Sequence, residues 1–128
     1  MRVPRIFAVI LASLTLGACE TSTSPASQPL SVSADGTALT LRNPNAWPVF
    51  YLAMDPRMLA VAELALCRDP SSSCPRVAAF GTVRLPYSEI SGYQSDETQA
   101  RVMHWRLHRQ MSGDYEATDI QSVDVSLR

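Results

Sequence analysis

The two histidines of this 128-residue chain stand four residues apart, at His104 and His108 in the stretch HWRLH. On a helix, that spacing would place the two imidazoles about 6 Å apart, close enough to share a metal ion. On a strand, four residues span about 13 Å, which is too far for two zinc ligands with bonds of about 2.1 Å each. Met103, Trp105 and Leu107 alternate with polar residues, which favours a strand. We therefore expect no metal site here, and we expect both histidines on a solvent-facing side opposite Trp105.

Other patterns associated with catalysis are weak in this sequence. No G-x-S-x-G stretch marks a nucleophilic serine, and the five glycines are too scattered for a phosphate-binding loop. The acid pairs Asp96–Glu97 and Asp114–Glu116 could supply the two carboxyl groups of a glycosidase. Both pairs occur among turn residues, so we interpret them as solvated.

The N-terminal residues are organised like a secretory signal. Arg2 and Arg5 supply positive charge, and residues 6–16 are mostly apolar. This run is too short to cross a bilayer, which takes about 20 apolar residues. The small residues Gly17 and Ala18 then lead directly to Cys19, where an ordinary signal would end.

Leu16-Gly17-Ala18-Cys19 resembles the lipobox of bacterial lipoproteins. The resemblance implies that residues 1–18 are removed and that Cys19 becomes a diacylglycerol-bearing N-terminus in the cell envelope. Glu20, in place of the Asp that favours inner-membrane retention in the proteobacterial family, implies the outer membrane. The alternatives are a plain secreted protein with an unrelated cysteine, and an uncleaved anchor helix.

The same resemblance leads to an expectation for the remaining two cysteines, Cys67 and Cys74. Lipidation of Cys19 leaves them as an even pair in an oxidising compartment, so we expect a disulfide. Six residues separate them, which is wider than the C-x-x-C spacing typical of redox sites. A zinc site would need two further ligands. We interpret the pair as a structural crosslink.

We expect residues 19–29 to comprise the lipidated cysteine and a flexible tether, because 21–29 are rich in Ser, Thr and Pro and contain no large apolar residue. Residues 30–128 are long enough for one domain. With Arg2 and Arg5 removed, nine basic residues, all Arg, oppose twelve acids, a net charge of −3. No basic stripe is visible, so nucleic acid is not an expected partner.

The domain has the sequence pattern of an all-β fold. Turn signals recur at short intervals, and the segments between them alternate apolar and polar residues. The run at 47–54 is apolar at both parities, which predicts a strand covered on both faces. The predicted strands lie at 30–35, 39–42, 47–54, 60–67, 82–87, 101–109 and 122–127. The fourth is ambiguous: 55–67 could be a helix with Asp55 as its N-cap and Pro56 as its first residue, and a short helical turn at 56–59 could precede the strand.

In strand number, length and spacing, residues 30–128 resemble the immunoglobulin and fibronectin type III sandwiches. The resemblance implies a single seven-stranded immunoglobulin-like β-sandwich that binds or spaces other molecules. Cys67 and Cys74 are too close in sequence to form the inter-sheet disulfide of antibody domains.

Four aromatic residues near predicted strand ends or loops form the predicted binding surface: Trp47, Tyr87, Tyr93 and Tyr115. Loops at one end of a sandwich often carry binding residues, although these rings could instead cap the edge of the core. We expect a membrane-anchored, non-enzymatic module, without cofactor or metal, that binds an envelope protein or a glycan. The alternative is a small envelope enzyme, or an enzyme's accessory domain, with a site not evident in the sequence.

Overall fold

A computed structural model describes residues 27–58, 66–71 and 73–128 of the chain. These residues form two short 3₁₀ turns, Pro56–Met58 and Tyr87–Glu89, and seven β-strands. The strands are β1 (Ser31–Ala34), β2 (Ala38–Arg42), β3 (Val49–Met54), β4 (Arg76–Val77), β5 (Thr82–Pro86), β6 (Gln99–Arg109) and β7 (Tyr115–Ser126). The described ranges contain no helix with the length and hydrophobicity needed to cross a membrane.

The strands pair into two antiparallel sheets, with the orders β1-β2-β5 and β4-β3-β6-β7. This confirms the all-β fold of seven strands that the sequence predicts. In the three-stranded sheet, Leu39 lies opposite Leu85, and Leu41 lies opposite Val32 on one side and Val83 on the other. Successive side chains of a strand point to opposite faces, so the alternation in the sequence sets which residues these sheets bury.

Hydrophobic clusters cover both faces of the four-stranded sheet. The larger cluster lies between the two sheets and includes Leu39 and Leu41 from one sheet and Tyr51 and Val102 from the other. The smaller cluster lies on the outer face of the four-stranded sheet and consists of Phe50, Met54, Cys74, Met103 and Trp105. Strand β3 is therefore buried on both sides, as its apolar pattern predicts.

The fourth predicted strand is wrong where it can be compared. Leu66 and Cys67 lie outside any strand, and residues 59–65 are outside the described residues. The fourth strand is instead β4, which is two residues long and too short to show a period in the sequence. It starts directly after Pro75, whose carbonyl accepts a hydrogen bond from Tyr51 N at 3.3 Å. Pro75 has no N–H to donate in return, so the ladder weakens there. The predicted helical turn is present at Pro56–Met58.

Strand β7 starts at Tyr115, seven residues earlier than the sequence predicts. The cause is an irregularity in the β6–β7 ladder, where the pairing register shifts between His104 and Arg106. Asp119, on the opposite strand, has a positive φ of 53°. A bulge breaks the period of two, so the first half of β7 shows no clean alternation.

The sandwich has two distinct ends. At the end where the chain enters, β1 and β5 begin and β2 finishes, since Arg42 pairs with both Ser31 and Thr82. We call this the N-terminal end and define it by residues 27–30, 43–48 and 78–81. The opposite end contains the β1–β2 turn at 35–37, the segment at 55–58 and the β5–β6 connection at 87–98.

Candidate functional site

The four predicted surface aromatics do not converge. Tyr87 and Tyr93 lie together at the opposite end, with ring centroids 5.7 Å apart. Tyr87 is buried, and its hydroxyl accepts a hydrogen bond from Gly36 N and donates one to Leu127 O, both at 3.1 Å. This hydroxyl joins the first turn of the domain to its last residues.

Trp47 and Tyr115 lie towards the N-terminal end. The Arg106 guanidinium stacks on the Trp47 ring, 3.8 Å from its centroid. This is a cation–π interaction, in which the positive charge is attracted to the face of the ring. Tyr115 is half-buried and lines an open depression of about 590 Å³ together with Arg68, Asp69, Gly113 and Asp114. The four predicted residues thus form no single surface, because only Tyr87 and Tyr93 pair with each other, and their role in binding stays a prediction.

An acidic cleft at the opposite end brings together residues that are 42 positions apart in the sequence. It has a volume of about 320 Å³ and is lined by Asp55, Pro56, Arg57, Asp96, Glu97, Thr98 and Gln99. Asp55 follows β3 directly, and its backbone N–H donates to Ser91 O at 2.8 Å. Pro56 then starts the 3₁₀ turn, and Asp55 Oδ1 accepts from Arg57 N at 3.0 Å. Asp55 therefore caps a short turn, as an N-cap does.

Arg57 holds two of the three carboxylates that line this cleft. Its Nε donates to Asp55 Oδ2 at 2.8 Å, and its Nη2 pairs with Glu97 Oε1. Hydrogen bonds from the side chain and the backbone N–H of Arg57 lower the pKa of Asp55 to about 2. Burial raises the pKa of Glu97. The prediction that Glu97 is a solvated turn residue is wrong, because its side chain is only 10% exposed.

The chemistry open to this cleft follows from one guanidinium, that of Arg57, which contacts the carboxyl groups of both Asp55 and Glu97. The pKa of Asp55 is lowered and that of Glu97 is raised, which is how enzymes separate an acid from a base. Because Arg57 bonds to both, the arrangement also works as a clamp between the 3₁₀ turn and the start of β6.

The two histidines are placed differently from the prediction. His108 is exposed, but His104 is buried, with 2% of its surface accessible. His104 alternates with Ala100 and Val102, which face the cluster between the sheets, while Met103 and Trp105 face the outer cluster. The prediction that His104 faces solvent is wrong because both faces of β6 are covered. Burial lowers its pKa, and within the described residues its Nε2 has no hydrogen-bond partner.

Both histidines lie on one strand, and the described ranges contain no group of three metal-binding side chains. The Cys67–Cys74 disulfide is present as predicted, with its Cα atoms 5.7 Å apart. Cys74 is buried in the outer cluster, and the Cys67 carbonyl accepts a hydrogen bond from Trp105 Nε1. Cys19 and the lipobox lie outside the described residues.

Sequence reasoning missed the Asp55–Arg57–Glu97 clamp. The Asp-Pro-x turn signal in the sequence indicated that Asp55 could cap a turn, but no local signal pointed to Glu97 as its partner. Comparisons with protein-family models, with curated proteins and with solved structures gave no match.

Proposed function

We propose that this protein is a lipid-anchored, non-enzymatic module of the bacterial cell envelope that binds another envelope protein or a glycan. The anchor is Cys19, at the end of the lipobox-like Leu16-Gly17-Ala18-Cys19. A Ser-, Thr- and Pro-rich stretch follows, and buried structure begins at Leu30. This order of signal, acylation site, tether and compact domain supports the proposal, and Glu20 supports a location in the outer membrane.

The strand order supports the immunoglobulin-like resemblance. In those sandwiches, strands A, B and E pair in one sheet, strands C, F and G pair in the other, and an additional strand can pair with C. Here β1, β2 and β5 take the first set of positions, β3, β6 and β7 take the second, and β4 pairs with β3. Sandwiches of this type present loops at their two ends, which is where binding residues are usually placed.

One observation carries the choice of a binding module over an enzyme. Asp55 and Glu97, the least exposed acidic residues of the part of the chain that the structure describes, are both engaged by Arg57. A general acid or base must be free to exchange a proton with a substrate, and here Asp55 is committed to the 3₁₀ turn and to Arg57. The depression beside Tyr115 combines an aromatic ring with charged side chains, which suits a sugar or a polar loop of a partner.

The anchoring is tested by labelling cells with a radioactive fatty acid. We expect the wild-type protein to label and to sediment with membranes, and Cys19→Ser to do neither. Ser22→Ala, a change in the same stretch that leaves Cys19 intact, is the control. Labelling of the Cys19→Ser protein would contradict the lipobox.

The binding role is tested by capture of the lipidated protein from its own envelope, with a defined partner or glycan expected in wild-type eluates.

A second candidate function is a small envelope hydrolase. The opposite pKa shifts of Asp55 and Glu97 in one cleft are the observation that favours it, since enzymes separate the pKa values of an acid and a base in this way. A hydrolase should lose activity towards envelope glycans or esters in Glu97→Gln and retain it in Asp96→Asn. Equal activity of the two variants, or none in the wild type, would leave the binding module.

A further inference from the structure

The N-terminal end of the sandwich is built around two buried amides. Asn43 Nδ2 donates to the carbonyls of Trp47, Val77 and Ala78 at 2.7–3.2 Å. Asn43 Oδ1 accepts from both the backbone N–H and the side-chain amide of Asn45. Asn45 in turn bonds the backbone of Gln28 twice, as donor and as acceptor, at 2.8 Å each.

These bonds fix the three segments of this end to one another. Phe80 N donates to Asn45 O at 3.0 Å, and Asn43 N donates to Gly81 O at 3.0 Å. The chain leading in from residue 27, the β2–β3 connection and the β4–β5 connection therefore form one connected surface.

The exposed side chains of the three segments of this end carry no charge, and all of them except Gln28 are apolar. No acidic or basic residue occurs in 27–30, 43–48 or 78–81. The exposed apolar residues there are Pro29, Ala46, Pro48, Ala78, Ala79 and Phe80. Phe80 is 70% exposed and has a φ of 55°, a conformation that is uncommon for a residue with a bulky side chain. An exposed aromatic ring held in such a conformation points to a role outside the core.

The segments that define the two ends differ in charge, and the β6–β7 hairpin on the N-terminal side carries Arg109, Asp114 and Glu116. At the opposite end, the turns at 35–37, 55–58 and 87–98 contain five acids, Asp35, Asp55, Glu89, Asp96 and Glu97, against Arg57 alone. An anionic membrane surface repels acidic residues, and the repulsion falls off within a Debye length, about 8 Å at physiological salt. The distribution of charge therefore favours an orientation with the N-terminal end towards the lipid.

We propose that the N-terminal end docks on the bilayer that holds the acylated Cys19, with Phe80 inserted at the level of the lipid headgroups. This orientation rests on the proposed anchoring through Cys19. Ser27 is eight residues from Cys19, which limits their separation to about 29 Å. The anchor keeps this end close to the lipid, so that a small apolar contact suffices, because tethering makes the second contact intramolecular.

The β6–β7 hairpin supplies a second apolar contact on the same side. Trp105 pairs with Phe50, so Arg109 at the end of β6 lies four residues, about 13 Å, further towards this end. The hairpin turn then presents Met111, whose side chain is fully exposed. Met111 joins Phe80 as one of the four large apolar side chains exposed among the described residues.

The test uses the acylated protein, purified from membranes and reconstituted into vesicles of phosphatidylethanolamine and phosphatidylglycerol with brominated acyl chains. Phe80→Trp adds a fluorophore at the N-terminal end, and Ser88→Trp adds one at an exposed position of the opposite end. Emission added by Phe80→Trp, measured as the difference from the wild type, should be quenched several-fold more than emission added by Ser88→Trp. Equal quenching of the two would overturn the orientation.

Hydrogen–deuterium exchange gives a second measurement that needs no added tryptophan. Reconstitution should slow exchange at 78–81 in the wild type and leave 35–37 unchanged. Phe80→Asn, which tolerates a positive φ, should keep the fold and lose this protection. Protection that persists when Phe80→Asn and Met111→Ser are combined would overturn the proposed contact.

The two proposals fail in different ways. A chain whose mass shows no acyl group would contradict the anchoring through Cys19, whereas an acylated chain whose Phe80→Trp fluorescence is not quenched contradicts only the orientation.

Discussion

The indole Nε1 of Trp105 donates a hydrogen bond to the carbonyl oxygen of Cys67 at 3.1 Å. The donor, Trp105, lies at the centre of strand β6. The acceptor, Cys67, starts the disulfide-closed loop that runs to Cys74. The loop therefore covers the outer face of the four-stranded sheet through a crosslink, a hydrogen bond and the apolar contacts of Cys74.

Trp105→Ala should destabilise the domain by about 3–5 kcal/mol, as is typical when a buried tryptophan is truncated. That is a large share of the roughly 5–15 kcal/mol that holds a domain together. Thermal and urea unfolding measure the loss. Leu107→Ala, on the same face but only half-buried, is the matched control and should cost less. Equal losses for the two variants would contradict the central position of Trp105.

Replacing both Cys67 and Cys74 by Ser should lower the free energy of unfolding by roughly 2 kcal/mol, because the loop loses its entropic constraint in the unfolded state. Denatured, unreduced wild-type protein should titrate no free thiol. The loss should be non-additive with Trp105→Phe, since both changes release the same loop. Additive losses, or two reactive thiols per chain, would contradict the crosslink between loop and sheet.

His104 should make the stability depend on pH below neutrality. Its pKa is lowered by burial, so the unfolded chain, with an ordinary His pKa of about 6.5, binds a proton that the folded chain resists. Stability is full above about pH 6.5 and falls as the pH drops towards the folded pKa, with a slope of at most about 1.4 kcal/mol per pH unit for one proton.

Urea unfolding at pH 7.5 and at pH 5 tests this dependence. His104→Gln should reduce the difference in the free energy of unfolding between the two pH values, and His108→Gln, at an exposed position of the same strand, should leave that difference unchanged.

Added zinc should not raise the melting temperature of the protein, because a ligand stabilises only the state that binds it. A zinc-dependent rise that disappears in the double His variant would contradict the absence of a metal site.

Tyr87→Phe should cost about 1–2 kcal/mol, because Gly36 N and Leu127 O both lose the hydroxyl group that joins them. Hydrogen exchange should quicken at the C-terminal residues and at the β1–β2 turn together. Tyr93→Phe is the control, since Tyr93 contacts Tyr87 through its ring. Faster exchange at only one of the two segments would show that the hydroxyl does not couple them.

Asn43→Ala should destabilise the domain by about 3 kcal/mol, because three carbonyl oxygens lose a shared donor in a buried setting. The free energy of unfolding and the exchange rates at 43–48 and 78–81 measure the effect. Pro44→Ala, an adjacent change that leaves the amide in place, should have a small effect. A mild loss in Asn43→Ala would show that the N-terminal end holds its shape without this amide.

The alternation of apolar and polar residues determines most of the strands of this domain. It predicts β1, β2, β5 and β6 within a few residues, because successive side chains of a strand point to opposite faces, and the run that is apolar at both parities predicts β3. The same pattern could not reveal β4, whose two residues are too few for a period, or the start of β7, where a bulge shifts the register.

The sequence by itself also predicted the Cys67–Cys74 pairing, and it shows that residues 27–30, 43–48 and 78–81 of the N-terminal end carry no charge. Tertiary structure alone decided the partners that are far apart in the chain. Glu97 reaches Arg57 and Asp55 only because β3 ends beside the start of β6. His104 is buried because its face of β6 packs towards the second sheet, while the disulfide-closed loop covers the face that carries Trp105. The pattern of apolar residues in the sequence predicts which side chains are buried. Which strand or loop buries them depends on how the two sheets pack.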